Sequence, residues 1–225
     1  KTTILKALEE ALADEDYISF CEEPAESWEA SGALSALYQG SVTPSFFQMF
    51  VLSTRTASIL RHLMKSPPPK ILVSERTMFL GERAFADVCI TEPEERKIYD
   101  QCSAAYGTLV TNKATILYIF IDTDPEVCFR RVKARGRTSE ATLDINYLKK
   151  LDASHRRLVA EKGACAIHID GNQDKSTVFA NVLKVVQDLA GGLNKENIDP
   201  STTKKLKKAT RPVVTPTDAQ HHRVS

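Results

Sequence analysis

Four short apolar runs constrain this chain more than any other feature: YISF (17–20), KILVS (70–74), TILYIFI (115–121) and ACAIHI (164–169). They are rich in β-branched and aromatic residues and do not alternate apolar with polar, the pattern of strands covered on both faces. Helical spacing fills the intervals, roughly 2–13, 44–64, 76–90, 94–112, 125–135, 144–161 and 175–190. Strands alternating with helices predict an α/β fold on a parallel sheet flanked by helices on both faces. Local signals agree. Asp124 and Pro125 suit the cap and first position of a helix, and the SPPP run (66–69) stops the long helix before the second strand.

Composition narrows the function classes. The 225 residues allow one sizeable core, and a net charge of +1 gives no electrostatic reason to expect a nucleic-acid partner. No run approaches the about 18 apolar residues of a membrane span. Five scattered cysteines without a C-x-x-C pair argue against a zinc site or disulfide framework and for a reducing compartment. The expectation is a cytoplasmic protein, with the mitochondrion as alternative. Apolar periodicity ends after LAGGLN (189–194), so a domain over 1–191 and a disordered basic tail over 192–225 are expected.

In open α/β sheets, ligands bind beyond the carboxyl ends of the strands, so the residues following each run matter most. The opening Lys1-Thr2-Thr3 matches the end of G-x-x-x-x-G-K-[ST], the loop that cradles nucleotide phosphates, with its glycine half and preceding strand not in this chain. After the first run, Glu23-Pro24 places a carboxylate where it could take a proton from a substrate hydroxyl, and Trp28 could wall a flat ligand; a solvated acidic loop is the alternative. Glu75-Arg76 after the second run is either a structural ion pair or a metal-ordering carboxylate beside a phosphoryl-neutralising arginine. Arg131, Arg135 and Arg137 surround Gly136, with Glu140 beyond. They suit a lid over phosphates, or cations at a helix C-terminus. Gln48 lies among Phe46, Phe47 and Phe50, and Val51 and Arg55 continue its face. A buried glutamine needs partners for both ends of its amide, which a nucleobase edge would supply.

Together the segments KTT, EPAESW, LYQG, FFQMFVLSTR, SERTMFLGERAF and RRVKARGRTSEATLDINYLKKL, in this order over about 1–175, resemble the deoxynucleoside kinase family. The resemblance implies a P-loop kinase fold with an arginine-rich lid, its first strand absent from this chain. It implies transfer of the γ-phosphate of ATP, with Mg²⁺, to the 5′-hydroxyl of a deoxyribonucleoside. By the same resemblance Lys1, Thr2 and Thr3 would hold the donor phosphates, and Thr2 and Glu75 the metal. Glu23 would be the general base and Arg76 would touch both that carboxylate and the phosphoryl group. Gln48 would pair with the base edge; Trp28, Phe47, Val51 and Phe85 would enclose the base with Arg55 nearby. Tyr38 and Glu140 would bind the 3′-hydroxyl, and Arg131, Arg135 and Arg137 would close the lid. A homodimer through helices 44–64 and 94–112 is also implied.

The sequence departs from the family pattern in places. Glu-Arg-Thr replaces Glu-Arg-Ser, and Gly81, with Glu82 beside it, stands where the deoxycytidine and deoxyguanosine kinases carry a base-facing aspartate. A nucleoside monophosphate kinase is the nearest alternative, but an anionic Glu23 suits a neutral acceptor better than a phosphorylated one. A second alternative is an inactive interaction protein, its tail carrying Lys195-Glu196-Asn197, which resembles a motif read by degradation machinery, and a basic run over 204–208.

Overall fold

A computed structural model of the chain describes residues 1–136 and 143–194. Arg137, Glu140, the Lys195–Asn197 motif and the basic run over 204–208 lie outside the described residues. Four strands occur where the apolar runs predict them: β1 (Ile18–Cys21), β2 (Ile71–Ser74), β3 (Tyr118–Asp122) and β4 (Ala166–Asp170). Among the described residues they form two parallel ribbons, β1 with β2 and β3 with β4, rather than one continuous ladder.

Side chains join the ribbons into one layer. Phe20 and Val73 of the first meet Ile119 and Ile121 of the second in a cluster with Leu8 of α1 (Thr2–Ala11) and Val178 and Val182 of α9 (Lys175–Asn194). The alternate residues face the other way. Cys21 and Leu72 pack with α4 (Pro44–Leu63) and α6 (Pro93–Thr111) around Leu52, Ile59, Tyr99 and Val110. Tyr118 and Phe120 pack with Ala84, Leu158 and Val159, the last two from α8 (Ile145–Ala160). Period-2 alternation with both faces apolar explains why the strands read as unbroken hydrophobic runs.

Helix starts follow their caps. The Thr43 hydroxyl accepts from the Phe46 amide ahead of Pro44. Asp124 caps α7 (Pro125–Arg135) and Asp144 caps α8, each accepting an amide hydrogen bond. Gly136, in the left-handed region at φ 65°, closes α7. Two short helices have no counterpart in the predicted elements: α2 (Ala25–Ala30) and α3 (Ala33–Tyr38). The predicted helix over 76–90 is split, a π-turn over Met78–Glu82 leading into α5 (Arg83–Cys89). At the far end α9 continues to Asn194, past the expected domain boundary at residue 191.

Candidate active site

The carboxyl ends of β1 and β2 and the N-terminus of α1 converge on one cluster of charge. Glu23 follows β1 and its side chain is 13% exposed. Its carboxylate is bonded to Arg55 and, through both oxygens, to Arg76. Burial by itself would raise the Glu23 pKa; the charges and hydrogen bonds of Arg76 and Arg55 more than offset it and hold the carboxyl below its ordinary range.

Arg76 has φ 63°, the left-handed region that side chains other than glycine rarely adopt. Such a conformation costs about 1–3 kcal/mol and persists only where surrounding contacts enforce it. Here it comes two residues after β2, and the guanidinium reaches Glu23 while lying 5.2 Å over the Phe85 ring. Gly81 completes the arrangement: a Cβ there would stand 2.8 Å from the Arg76 Cβ. The absence of a side chain at 81 is therefore a condition for Arg76 lying where it does.

Arg55 is 2% exposed and its guanidinium meets three protein groups. Nε lies 2.5 Å from a Glu82 carboxylate oxygen in an ion pair without hydrogen-bond geometry, one terminal nitrogen donates to the Glu75 carbonyl at 2.6 Å, and the other donates to Glu23. Of the residues expected around a base, Arg55 is thus brought to the site but is engaged with its scaffold. Glu82 is also 2% exposed; burial pushes its pKa up, against the pull of Arg55 and Arg76. Sequence reasoning placed Glu82 beside Gly81 without giving it a role. The available signal was a glutamate inside the apolar run TMFLGERAF.

Trp28, Phe47 and Val51 form one buried apolar cluster. Trp28 meets Phe47 edge to face with centroids 6.4 Å apart, and its Nε1 donates to the Thr54 hydroxyl at 2.9 Å. The Trp28 ring is therefore an anchor of α2 to α4. Gln48 lies beside this cluster at 6% exposure, and its Oε1 has no hydrogen-bond partner. An unpaired buried acceptor costs about 1–3 kcal/mol, a cost that a ligand donating to Oε1 would relieve.

At the N-terminus of α1 the Thr2 hydroxyl donates to the Glu75 carboxylate at 2.8 Å. Arg76 first, and withdrawal from water second, lower the Lys1 ammonium to about 8, with Glu75 and Glu23 opposing them. Lys1 as a whole is exposed, so crowding by neighbouring groups rather than complete enclosure supplies the second effect. A helix N-terminus with a lysine and backbone amides suits anionic phosphates. Among the described residues no group of three or more His, Cys, Asp or Glu side chains could hold a metal alone. Thr2 and Glu75 offer the one or two hard oxygens typical of Mg²⁺ sites completed by substrate phosphates and water, so the residues present fit that ion.

Of the arginines expected in a lid, Arg131 and Arg135 lie one turn apart on α7. Arg131 donates to the Gly171 carbonyl at 2.9 Å and the Gln173 carbonyl at 3.3 Å, tying α7 to the loop after β4. That loop is bonded to the β3 end as well, Gly171 N to the Asp122 carbonyl at 2.6 Å and Asp124 N to Asn172 Oδ1 at 2.9 Å. Arg135 ends α7. Tyr38, the last residue of α3, is 58% exposed, within electrostatic reach of the Tyr147 hydroxyl. Thr3 lines a groove between α1 and the start of α9, beside Lys6 and Lys175 and away from Glu23.

Comparison with known proteins identifies the family and the fold. A probable deoxycytidine kinase of fowlpox virus (strain NVSL) is 26% identical over 195 residues, covering 79% of this chain and 81% of the viral protein. The solved structure of deoxyadenosine kinase from M. mycoides with bound dCTP has a similar fold, with a TM-score of 0.57 at 14% identity, over 83% of this chain and 92% of that one. The description "Deoxynucleoside kinase" fits residues 1–190. The chain belongs to the deoxynucleoside kinase family, enzymes of P-loop kinase fold that transfer a phosphoryl group to a deoxynucleoside.

Proposed function

We propose that the chain transfers the γ-phosphate of ATP to the 5′-hydroxyl of a deoxyribonucleoside, with Glu23 as general base. The observation that carries this reading is the Glu23 carboxylate itself. It is ionised, mostly buried, and fixed by Arg55 and Arg76 next to the helix terminus suited to phosphates. A primary hydroxyl is a weak nucleophile, and a positioned carboxylate that takes its proton contributes about 10²–10⁴-fold. Arg55 is held by Glu82 and the Glu75 carbonyl, so it keeps Glu23 in place when Arg76 turns its donors toward the transferring phosphoryl group. Lys1 and the start of α1 would bind donor phosphates, and Thr2 and Glu75 would hold Mg²⁺, which would neutralise charge on the phosphate oxygens. Gln48 supplies the amide edge for the base, between Trp28 and Phe47 on one side and Phe85 on the other. A monophosphate acceptor is disfavoured because its anionic end would meet Glu23.

The same reading includes a homodimer. Phe46, Ile98 and Leu109 on α4 and α6, with Met64 at the α4 terminus, are exposed apolar side chains on the two helices expected to pair. Light scattering on the full-length protein should give twice the chain mass, and a monomer at micromolar concentration would remove this part of the proposal.

The test is ATP- and Mg²⁺-dependent phosphorylation by the full-length protein of thymidine, deoxycytidine, deoxyadenosine, deoxyguanosine and thymidine monophosphate. Wild type should phosphorylate at least one nucleoside, and Glu23→Gln should lose about 10²–10⁴-fold in kcat. Turnover of the monophosphate alone would overturn the acceptor assignment. An unchanged kcat in Glu23→Gln would remove Glu23 from the base role.

A further inference from the structure

His155 is a buried titratable group that the mechanism above does not use, although it packs against that mechanism. It lies on α8 with its ring edge to face with Phe85, centroids 6.3 Å apart and planes at 86°. Phe85 in turn carries the Arg76 guanidinium at 5.2 Å, and Arg76 holds both oxygens of Glu23. A contact path therefore runs from His155 through Phe85 and Arg76 to the carboxylate.

The imidazole is fixed at its other end. Nδ1 lies 2.8 Å from the Leu151 carbonyl one turn earlier. A carbonyl only accepts, so Nδ1 carries the hydrogen and Nε2 keeps a lone pair. Burial lowers the pKa of the ring, with Lys1 and Arg76 adding to the effect while the Leu151 carbonyl and Asp152 oppose it. A neutral ring beside a cationic cleft adds no repulsion there. Its rotation is limited at one end by the hydrogen bond and at the other by the Phe85 ring.

We propose that His155 is a positioning residue of the acceptor pocket: its ring sets the angle of Phe85, and through it the seat of the nucleoside base and of Arg76. The inference rests on the acceptor reading given above. It differs from a purely structural role because the ring touches Phe85 at the site rather than only the apolar layer beneath. Phe120 and His168 form a similar edge-to-face pair, with centroids 5.5 Å apart and planes at 78°, on the neighbouring strands β3 and β4. That pair serves as an internal control.

The experiment is steady-state kinetics of the full-length protein with its best deoxynucleoside, ATP and Mg²⁺, comparing His155→Ala, His155→Gln, His155→Phe and His168→Ala, with thermal unfolding of each. Edge-to-face aromatic contacts have the strength to change affinity by about threefold to tenfold. His155→Ala and His155→Gln should raise KM for the nucleoside by that amount and leave KM for ATP unchanged. His155→Phe, which keeps a ring edge without the hydrogen bond, should recover more than half of the loss, and His168→Ala should leave both KM values within about twofold. The proposal fails if the Ala and Gln variants fold and keep the wild-type nucleoside KM, if both KM values rise alike, or if His155→Phe is no better than His155→Ala. A wild type that turns over no deoxynucleoside would instead overturn the acceptor reading, and this inference with it.

Discussion

Gln48 and Gly81 show at the scale of single residues how the site sets binding against stability. The Gln48 Oε1 is a buried acceptor with nothing to accept from, so Gln48→Leu should stabilise the free protein or leave it unchanged. The same change should raise the nucleoside KM by about tenfold or more, because the base edge loses its partner. Thermal unfolding and kinetics on the same preparation check both halves, and a fall in unfolding temperature with an unchanged KM would contradict them. Gly81→Ala places a methyl group 2.8 Å from the Arg76 Cβ. Because Arg76 is already held in a sparsely populated conformation, relief of the clash moves the guanidinium away from Glu23. We expect kcat to drop by about tenfold or more at a cost of no more than about 2 kcal/mol in stability. Urea unfolding beside kinetics measures the two.

At the scale of elements, caps and ion pairs hold the pieces that carry the site. Asp124 accepts from the Glu126 amide at 2.7 Å and starts α7, the helix that carries Arg131 and Arg135. Asp124→Ala should cost about 1 kcal/mol, seen as a lower unfolding temperature. It should also raise the KM for ATP, since loss of the cap loosens the start of α7, whose backbone N–H at residue 124 bonds Asn172 in the loop that Arg131 grips. An unchanged ATP KM would separate this loop from donor binding. Asp87 plays a comparable part among three helices: from α5 it meets Arg96 of α6 and Ser154 and Arg157 of α8, with Arg96 and Ser154 each at 2.5 Å. That tie fixes α8, and so His155, relative to Phe85.

For the whole molecule, the charged centre sets the dependence on pH. Glu23 titrates below its ordinary value of 4.5 in the fold. Its contribution to stability is therefore present above about pH 4.5 and is lost as pH falls through the folded value. Glu23→Gln should flatten the decline of unfolding temperature below pH 4.5, measured by scanning from pH 3 to 6. Lys1, lowered to about 8, loses its charge above that pH in the free enzyme. The ratio kcat/KM for ATP, which reports groups of the free enzyme, should accordingly fall on the alkaline side of about pH 8. A profile flat to pH 10 would contradict a lowered Lys1 titration in the free enzyme.

The alternation of apolar runs and helical spacing determined the class of fold, and the cap at Asp124 marked a helix start, because these signals are local: each depends on residues within one or two turns. Glu23, Arg76, Gln48 and Trp28 could be singled out as candidates for the same reason, since each follows a strand or interrupts an apolar face. What the tertiary structure decided depends on groups far apart in sequence. The three groups that hold Arg55 come from residues 23, 75 and 82, and sequence spacing could not show that they meet at one guanidinium. The carbonyl partners of Arg131 likewise lie 40 and 42 residues away on a loop, beyond the reach of local pattern. The left-handed turn at Arg76, the π-turn that buries Glu82 and the ring of His155 behind Phe85 exist because packing across the sheet overrides local preference. Such packing is settled only once both faces of the sheet are covered.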